Sequence, residues 1–273
     1  MQSFSSLLLA FIVLGYSTLA FAYSEPQELR LGDASFAVNV SVYNPESDTK
    51  KSLLIIPPTG GTNIIDRSYA KQFRKAGYRV YILNSWTDDN ENSTDIEIHQ
   101  RFYGRAQKAI HLVLKEVKTP FIGMIGTSVG ALHASISAAT IPNLNAVFSI
   151  VGGAPIAEVV VTSDQQAMKD LREARKLRYG YKNDQDNIKA IGAAFTLEPM
   201  QQGDLFKHKN LGMTLAQHDD TVTYLSQEQL RNYWQPRTVI TLPSNHFWGI
   251  VKMWLFHSDE LEKFFEDSAA KHI

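Results

Sequence analysis

Residues 121–135 read FIGMIGTSVGALHAS. Phe121–Ile125 is an unbroken apolar run of strand length, and Gly126 and Gly130 bracket Thr127, Ser128 and Val129 before a stretch of small helix-compatible residues. A serine hydroxyl is a weak nucleophile and becomes useful only when exposed to substrate beside a base. A sharp strand-to-helix turn supplies that exposure, provided the flanking residues are small enough for neighbouring chain to pass. The amino end of the following helix favours negative charge developing nearby. Ser128 therefore fits a nucleophile elbow. The competing plain reading is a serine that merely caps a helix.

Working outward, Glu28–Leu31 and Ser35–Tyr43 alternate polar and apolar residues around Gly32-Asp33, which predicts an antiparallel hairpin. Ser52–Ile56 (SLLII) reads as a strand buried on both faces, followed by the loop Pro57-Pro58-Thr59-Gly60-Gly61. A helix is expected from about Asp66 to Ala76, then a strand over Tyr78–Leu83 and a polar loop over Asp88–Ser93. Thr94 and Glu97 have capping-box spacing ahead of a helix whose apolar face is Phe102, Ala106, Ile110, Val113 and Val117. Further strands are expected at Ala146–Val151, Leu211–Ala216 and Thr238–Leu242, and an aromatic-rich helix at Phe247–Phe265. Strands alternating with helices call for an α/β fold: a mostly parallel twisted sheet with helices on both faces and an antiparallel N-terminal hairpin.

With these elements in order, the chain resembles the α/β-hydrolase superfamily from about Leu53 to its C-terminus. The resemblance rests on Gly126-Thr127-Ser128-Val129-Gly130 and on two later segments. The superfamily keeps its acid after a late strand and its histidine after the last one. Here LGMTLA runs into Gln217-His218-Asp219-Asp220-Thr221-Val222, and TVITL into Pro243-Ser244-Asn245-His246. The resemblance thus implies a triad of Ser128, Asp219 and His246, with Asp220 as the alternative acid and Glu158 a more distant one. It implies an oxyanion hole from the backbone amides of Val129 and Thr59, with Gly60 as the alternative to Thr59. Pro57 and Pro58 have no amide hydrogen to give. The segment 154–209 is longer than a crossover needs and matches a helical lid insertion. Its charged run Lys169, Arg172, Arg175, Lys176 and Arg178 is interspersed with Asp170 and Glu173, as a solvated face would be. Ser163 and Gln166 again have capping-box spacing.

Composition narrows the rest. With 27 Lys+Arg against 28 Asp+Glu, the net charge of −1 gives no global pull toward nucleic acid. The chain has no cysteine, which excludes disulfides and thiolate chemistry. His218 beside two aspartates is the nearest approach to a metal site, and nothing else has ligand spacing. The other histidines are read as structural. Residues 1–22 carry no charged side chain, hold an apolar run at Leu7–Leu14 and end in Ala20-Phe21-Ala22. That pattern predicts a signal peptide cleaved after Ala22, hence a periplasmic or secreted protein without stable membrane insertion. Residues 23–273 are expected to form one domain.

The expected function is a serine hydrolase that cleaves an ester, less readily a thioester or amide, through an acyl-enzyme. Its partner would be a small-molecule or acyl substrate, with no cofactor. A catalytically idle binding protein on the same fold and an acyltransferase are the alternatives. Trp86, Trp234, Phe247 and Trp248 are candidates to line an apolar pocket.

Overall fold

The computed structural model describes residues 25–86 and 94–273. The expected signal peptide and the polar loop over Asp88–Ser93 lie outside the described residues.

Among the described residues, eight strands form one sheet: β1 (Gln27–Gly32), β2 (Ala37–Tyr43), β3 (Lys51–Ile56), β4 (Arg79–Trp86), β5 (Phe121–Thr127), β6 (Ala146–Ile150), β7 (Asn210–Ala216) and β8 (Thr238–Leu242). Their order is β1-β2-β4-β3-β5-β6-β7-β8. β1 pairs with β2 and β2 with β4 antiparallel, and every other pair is parallel. The hairpin turns at Gly32 (φ 100°), where Asp33 Oδ1 accepts from the amides of Ser35 and Phe36. The parallel registers Ile56 with Gly126, Thr127 with Ile150, Ile150 with Thr214, and Ala216 with Leu242 align the strands' carboxyl ends. All the loops expected to carry chemistry therefore leave from one edge of the sheet, where ligands bind in open α/β sheets.

Among the described residues, eight α-helices accompany the strands: α1 (Ile64–Lys75), α2 (Ile98–Glu116), α3 (Val129–Thr140), α4 (Ile156–Thr162), α5 (Gln166–Tyr179), α6 (Asp184–Ala194), α7 (Tyr224–Trp234) and α8 (His246–Ala269). The period-2 alternation of strand side chains builds two cores. Leu54, Ile56, Met124 and Met213 face Ile110 and Val113 of α2, Ala134 and Ala138 of α3, and Leu230 and Trp234 of α7. Leu53, Ile55, Ile125 and Phe148 face Tyr69 and Phe73 of α1 and Met253, Phe264 and Phe265 of α8. A third cluster joins the segment 154–209 to the body: Ile156, Val159 and Val160 of α4, with Ile191 of α6, pack on Tyr103, Leu132 and Ile136.

Helix starts depart from the sequence reading in three places. α1 begins at Ile64, two residues early, because Asn63 Oδ1 accepts from the amides of Ile65 and Asp66 while Asp66 Oδ2 accepts from the Asn63 amide. That is a reciprocal cap. The box expected from Thr94 and Glu97 does not form, and α2 starts only at Ile98. Asp95 Oδ1 takes the Glu97 amide, and Thr94 serves α5 instead: its carbonyl accepts from Arg175 Nε and its hydroxyl from Arg178 Nη1. The box expected from Ser163 and Gln166 is also absent, with Gln165 at the cap position of α5 and no side-chain cap. Among the described residues no helix is long and apolar enough to cross a membrane.

Candidate active site

Ser128 sits between β5 and α3 with φ 56° and ψ −118°. For a residue with a Cβ this backbone is strained, and strain of this kind persists only where packing enforces it. The packing is visible in the glycines. A Cβ on Gly126 would stand 2.2 Å from the Gly130 carbonyl oxygen, and one on Gly130 would stand 2.1 Å from that of Ile56. The strand, the elbow and the loop after β3 touch backbone to backbone there. Ser128 makes no side-chain cap on α3. Its Oγ lies 2.8 Å from His246 Nε2.

His246 is the first residue of α8, and Asn245 before it caps that helix by accepting the Trp248 amide on Oδ1. The loop carrying the histidine is fastened to the loop carrying the aspartates: the Gln217 amide donates to Leu242 O and the His218 amide to Ser244 O. Of the two aspartates, Asp219 is buried and Asp220 exposed. Asp219 Oδ2 lies 2.7 Å from His246 Nδ1. The tautomer satisfying both contacts has Nδ1–H donating to Asp219 and Nε2 accepting from the Ser128 hydroxyl. Asp220 contributes its carbonyl to the Asp164 amide, and Glu158 lies on α4 with its hydroxyl-accepting carbonyl turned to Thr162. Neither replaces Asp219 beside His246. His218 is exposed, and no group of three or more metal-ligating side chains occurs among the described residues.

Asp219 is held from all sides. Oδ1 accepts the amides of Thr221 and Val222, both at 2.9 Å, and Oδ2 accepts Gln227 Nε2 at 2.8 Å besides the imidazole. Gln227, fully buried on α7, also donates to Val222 O and accepts the Ala216 amide. Sequence reading did not single it out. Its one signal was a polar residue on the helix face that also carries Leu230 and Trp234.

Val129 is the first residue of α3, so its amide has no intrahelical acceptor. Thr59, Ser128 and Val129 line one cavity of about 560 Å³. Gly60 (φ 98°) instead lines a neighbouring cavity. The large cavity runs between α2 and the segment 154–209, with Phe102, Leu132, Val160, Met168 and Leu171 in its walls. Its polar lining includes His99, which sequence reading treated as structural; burial first, then Arg175, pushes that imidazole down to about 3, so it is neutral.

Some charges of 154–209 pair within the segment and others tie it to the chain ahead of α2. Lys176 pairs with Glu173 and Asp184, and the buried Arg175 donates to the carbonyls of Thr94 and Asp95. Of the four aromatics proposed for a pocket, Trp86 lines the smaller cavity, Trp234 is buried in the core, and Phe247 and Trp248 are exposed at the start of α8.

No family model and no curated protein sequence matches the chain. Solved structures do. Est1E from Butyrivibrio proteoclasticus superposes with a TM-score of 0.64 at 14% identity, covering 89% of this chain and 99% of that one. Acetyl xylan esterase 1 from Thermoanaerobacterium sp. JW/SL YS485 gives 0.66 at 13%, covering 91% and 85%. The chain has the α/β-hydrolase fold. The Pyrococcus furiosus esterase Pf2001 is similar too, at 0.59 and 14%, covering 89% and 93%. In α/β-hydrolase terms, Ser128 stands at the elbow after β5, Asp219 after β7 and His246 after β8.

Proposed function

We propose that this protein is a serine hydrolase that cleaves carboxylic esters through an acyl-enzyme. The reading is carried by the unbroken hydrogen-bonded path from Ser128 Oγ through His246 to Asp219, which opens at the serine onto the large cavity. His246 Nε2 takes the hydroxyl proton as Ser128 Oγ attacks the ester carbonyl carbon. The carbonyl oxygen becomes an oxyanion, met by the amides of Val129 and Thr59. The imidazolium is stabilised by Asp219, then returns its proton to the departing alkoxide, which leaves as the alcohol. Water gives its proton to His246 and attacks the acyl carbon; the C–Oγ bond then breaks, the imidazolium returns the proton to Ser128 Oγ, and the carboxylic acid leaves. No step in this scheme calls for a cofactor.

Esters come before amides because two of the neighbours of the same fold are named esterases and the cavity beside Ser128 is mostly apolar. Export follows from the N-terminal pattern, and the segment 154–209 acts as a lid over the cavity. The test is labelling with a fluorophosphonate probe, wild type beside Ser128→Ala. Labelling and ester turnover that vanish in the variant support the reading. Undiminished turnover by Ser128→Ala overturns it, and an unlabelled, well-folded wild type points to a binding protein. Product analysis with added alcohols separates hydrolysis from acyl transfer.

A further inference from the structure

The two oxyanion donors are mounted differently. Val129 opens α3 and is fixed by the elbow, whereas Thr59 lies in the loop between β3 and α1, where Gly60 and Gly61 have φ of 98° and 85°. Glycines leave such a loop a wide choice of conformations. Packing does not narrow that choice fully, because a cavity of about 250 Å³ lies against Pro57, Pro58, Thr59, Gly60 and Gly61. A catalytic donor has to stand within about 0.5 Å of its productive place, so this loop needs tethers.

Its turn is closed by the Gly61 amide, which donates to Pro58 O, and its end by the reciprocal cap of Asn63 and Asp66. Both of these hold the loop to itself and to α1. The tether to the sheet is Thr62, whose hydroxyl donates to Asn84 Oδ1 at 2.7 Å. Asn84 lies near the carboxyl end of β4, at an irregular place. β2 pairs Val40 with Leu83 and Asn39 with Ser85, so Asn84 is the extra residue of a β-bulge. Bulges aim side chains that a regular ladder would leave elsewhere, and they recur beside active sites. The Asn84 amide is itself held: Nδ2 donates to Ser41 Oγ at 2.7 Å and to Glu28 Oε2 at 3.3 Å, and the Ser41 hydroxyl donates to Glu28 Oε1 at 2.6 Å. A carboxylate only accepts, so the amide nitrogen must face Glu28 and the amide oxygen Thr62. Ser41 is buried and pairs directly with Glu28 across β1 and β2. A polar row drawn from β1, β2 and β4 thus ends on the loop that carries Thr59.

We propose that Asn84 is a positioning residue for the oxyanion hole: through Thr62 it fixes the loop 57–63 so that the Thr59 amide stands where the oxyanion forms. The inference rests on the reading of Ser128 as nucleophile and of Thr59 as the second donor. Asn84 touches no reacting atom, and its effect is on the transition state rather than on substrate binding, because the ground-state carbonyl asks less of the donor than the oxyanion does.

The experiment compares Thr62→Val and Asn84→Leu with the wild type, all as the full-length protein. Valine keeps the shape of threonine and lacks the hydroxyl donor. The readouts are kcat and KM on p-nitrophenyl butyrate, the rate at which saturating fluorophosphonate modifies Ser128, and urea unfolding. Loss of a whole oxyanion donor costs about 100-fold or more, so a loosened one should lower kcat and the modification rate about tenfold or more, with KM changed less than about threefold. Thr62→Ser restores the hydroxyl and should return kcat to within about threefold of wild type. The double variant should lose no more than the worse single one, because both substitutions cut the same tether. Should Asn84→Leu not fold, Thr62→Val and Thr62→Ser decide alone. Wild-type kcat and modification rate in Thr62→Val, a loss that Thr62→Ser fails to relieve, or losses that multiply in the double variant overturn the proposal. Any of these beside a wild type that is labelled at Ser128 and turns over ester leaves the hydrolase reading standing. A well-folded wild type that does neither sinks both.

Discussion

Gln227→Leu separates the geometry of the aspartate from its mere presence. The substitution keeps the bulk on α7 and removes three hydrogen bonds, to Asp219 Oδ2, Val222 O and the Ala216 amide. Two of these partners are buried backbone groups, and each orphaned one costs about 1–3 kcal/mol. The expected loss of folding stability is therefore about 2–6 kcal/mol. Catalysis should suffer separately. A hydrogen bond to a charged acceptor contributes about 1.5–3 kcal/mol, and Asp219 would keep three of its four. With the two loop amides still fixing Oδ1, a partial loss is expected: kcat on an ester probe down about 10- to 100-fold, KM changed less than about threefold. Gln227→Glu sharpens the comparison, since it keeps the acceptor for Ala216 but turns a carboxylate toward Asp219. It should lose more kcat than the leucine variant and regain part of it as pH falls. The assay is steady-state kinetics beside urea unfolding. Full kcat in both variants, with only stability changed, would refute the idea that Gln227 aligns Asp219 on the histidine.

Gly130→Ala puts a methyl group 2.1 Å from the Ile56 carbonyl oxygen, so at least about 3 kcal/mol of destabilisation or failure to fold is expected; wild-type urea stability would contradict the close approach. Acidification should destabilise the protein. His99 and His133 are pushed down to about 3, so between about 6.5 and 3 the unfolded chain takes up protons the folded one refuses, and stability falls as pH falls. Asp66 opposes this over a narrower window, because burial raises its carboxyl to about 6 and the folded chain holds that proton between about 6 and 4. Asp66→Asn should therefore steepen the acid-side loss in urea titrations from pH 7 to 4; a slope equal to wild type counts against the Asp66 assignment. Arg175→Met keeps the aliphatic stem but drops the donors to the Thr94 and Asp95 carbonyls, so amide exchange in 166–179 should speed up several-fold; unchanged exchange would show that α5 does not depend on that clamp.

The strands and the elbow were legible because their signals are local. SLLII and FIGMI are apolar runs that only a sheet covered on both faces can bury, and Gly126 and Gly130 mark where backbone passes backbone. The order of the serine, aspartate and histidine segments was equally readable, since each follows its own strand. Helix starts were read less well. Thr94 and Ser163 have capping spacing in sequence, but tertiary partners decided their fate: Thr94 is drawn to Arg175 and Arg178 from a helix some eighty residues away. Sequence spacing favoured Asp219 over Asp220, but what turns Asp219 inward is tertiary. That depended on two loop amides and on Gln227, whose α7 position becomes relevant only when the chain after β7 folds back. The cavities were likewise invisible, because a cavity is bounded by residues far apart in the chain and left unfilled by all of them. Sequence by itself thus determined the layers, the strand-end positions and the residue types that meet there. Tertiary packing alone decided which atoms face one another, because hydrogen-bond geometry is set to tenths of an ångström by contacts that no local pattern encodes.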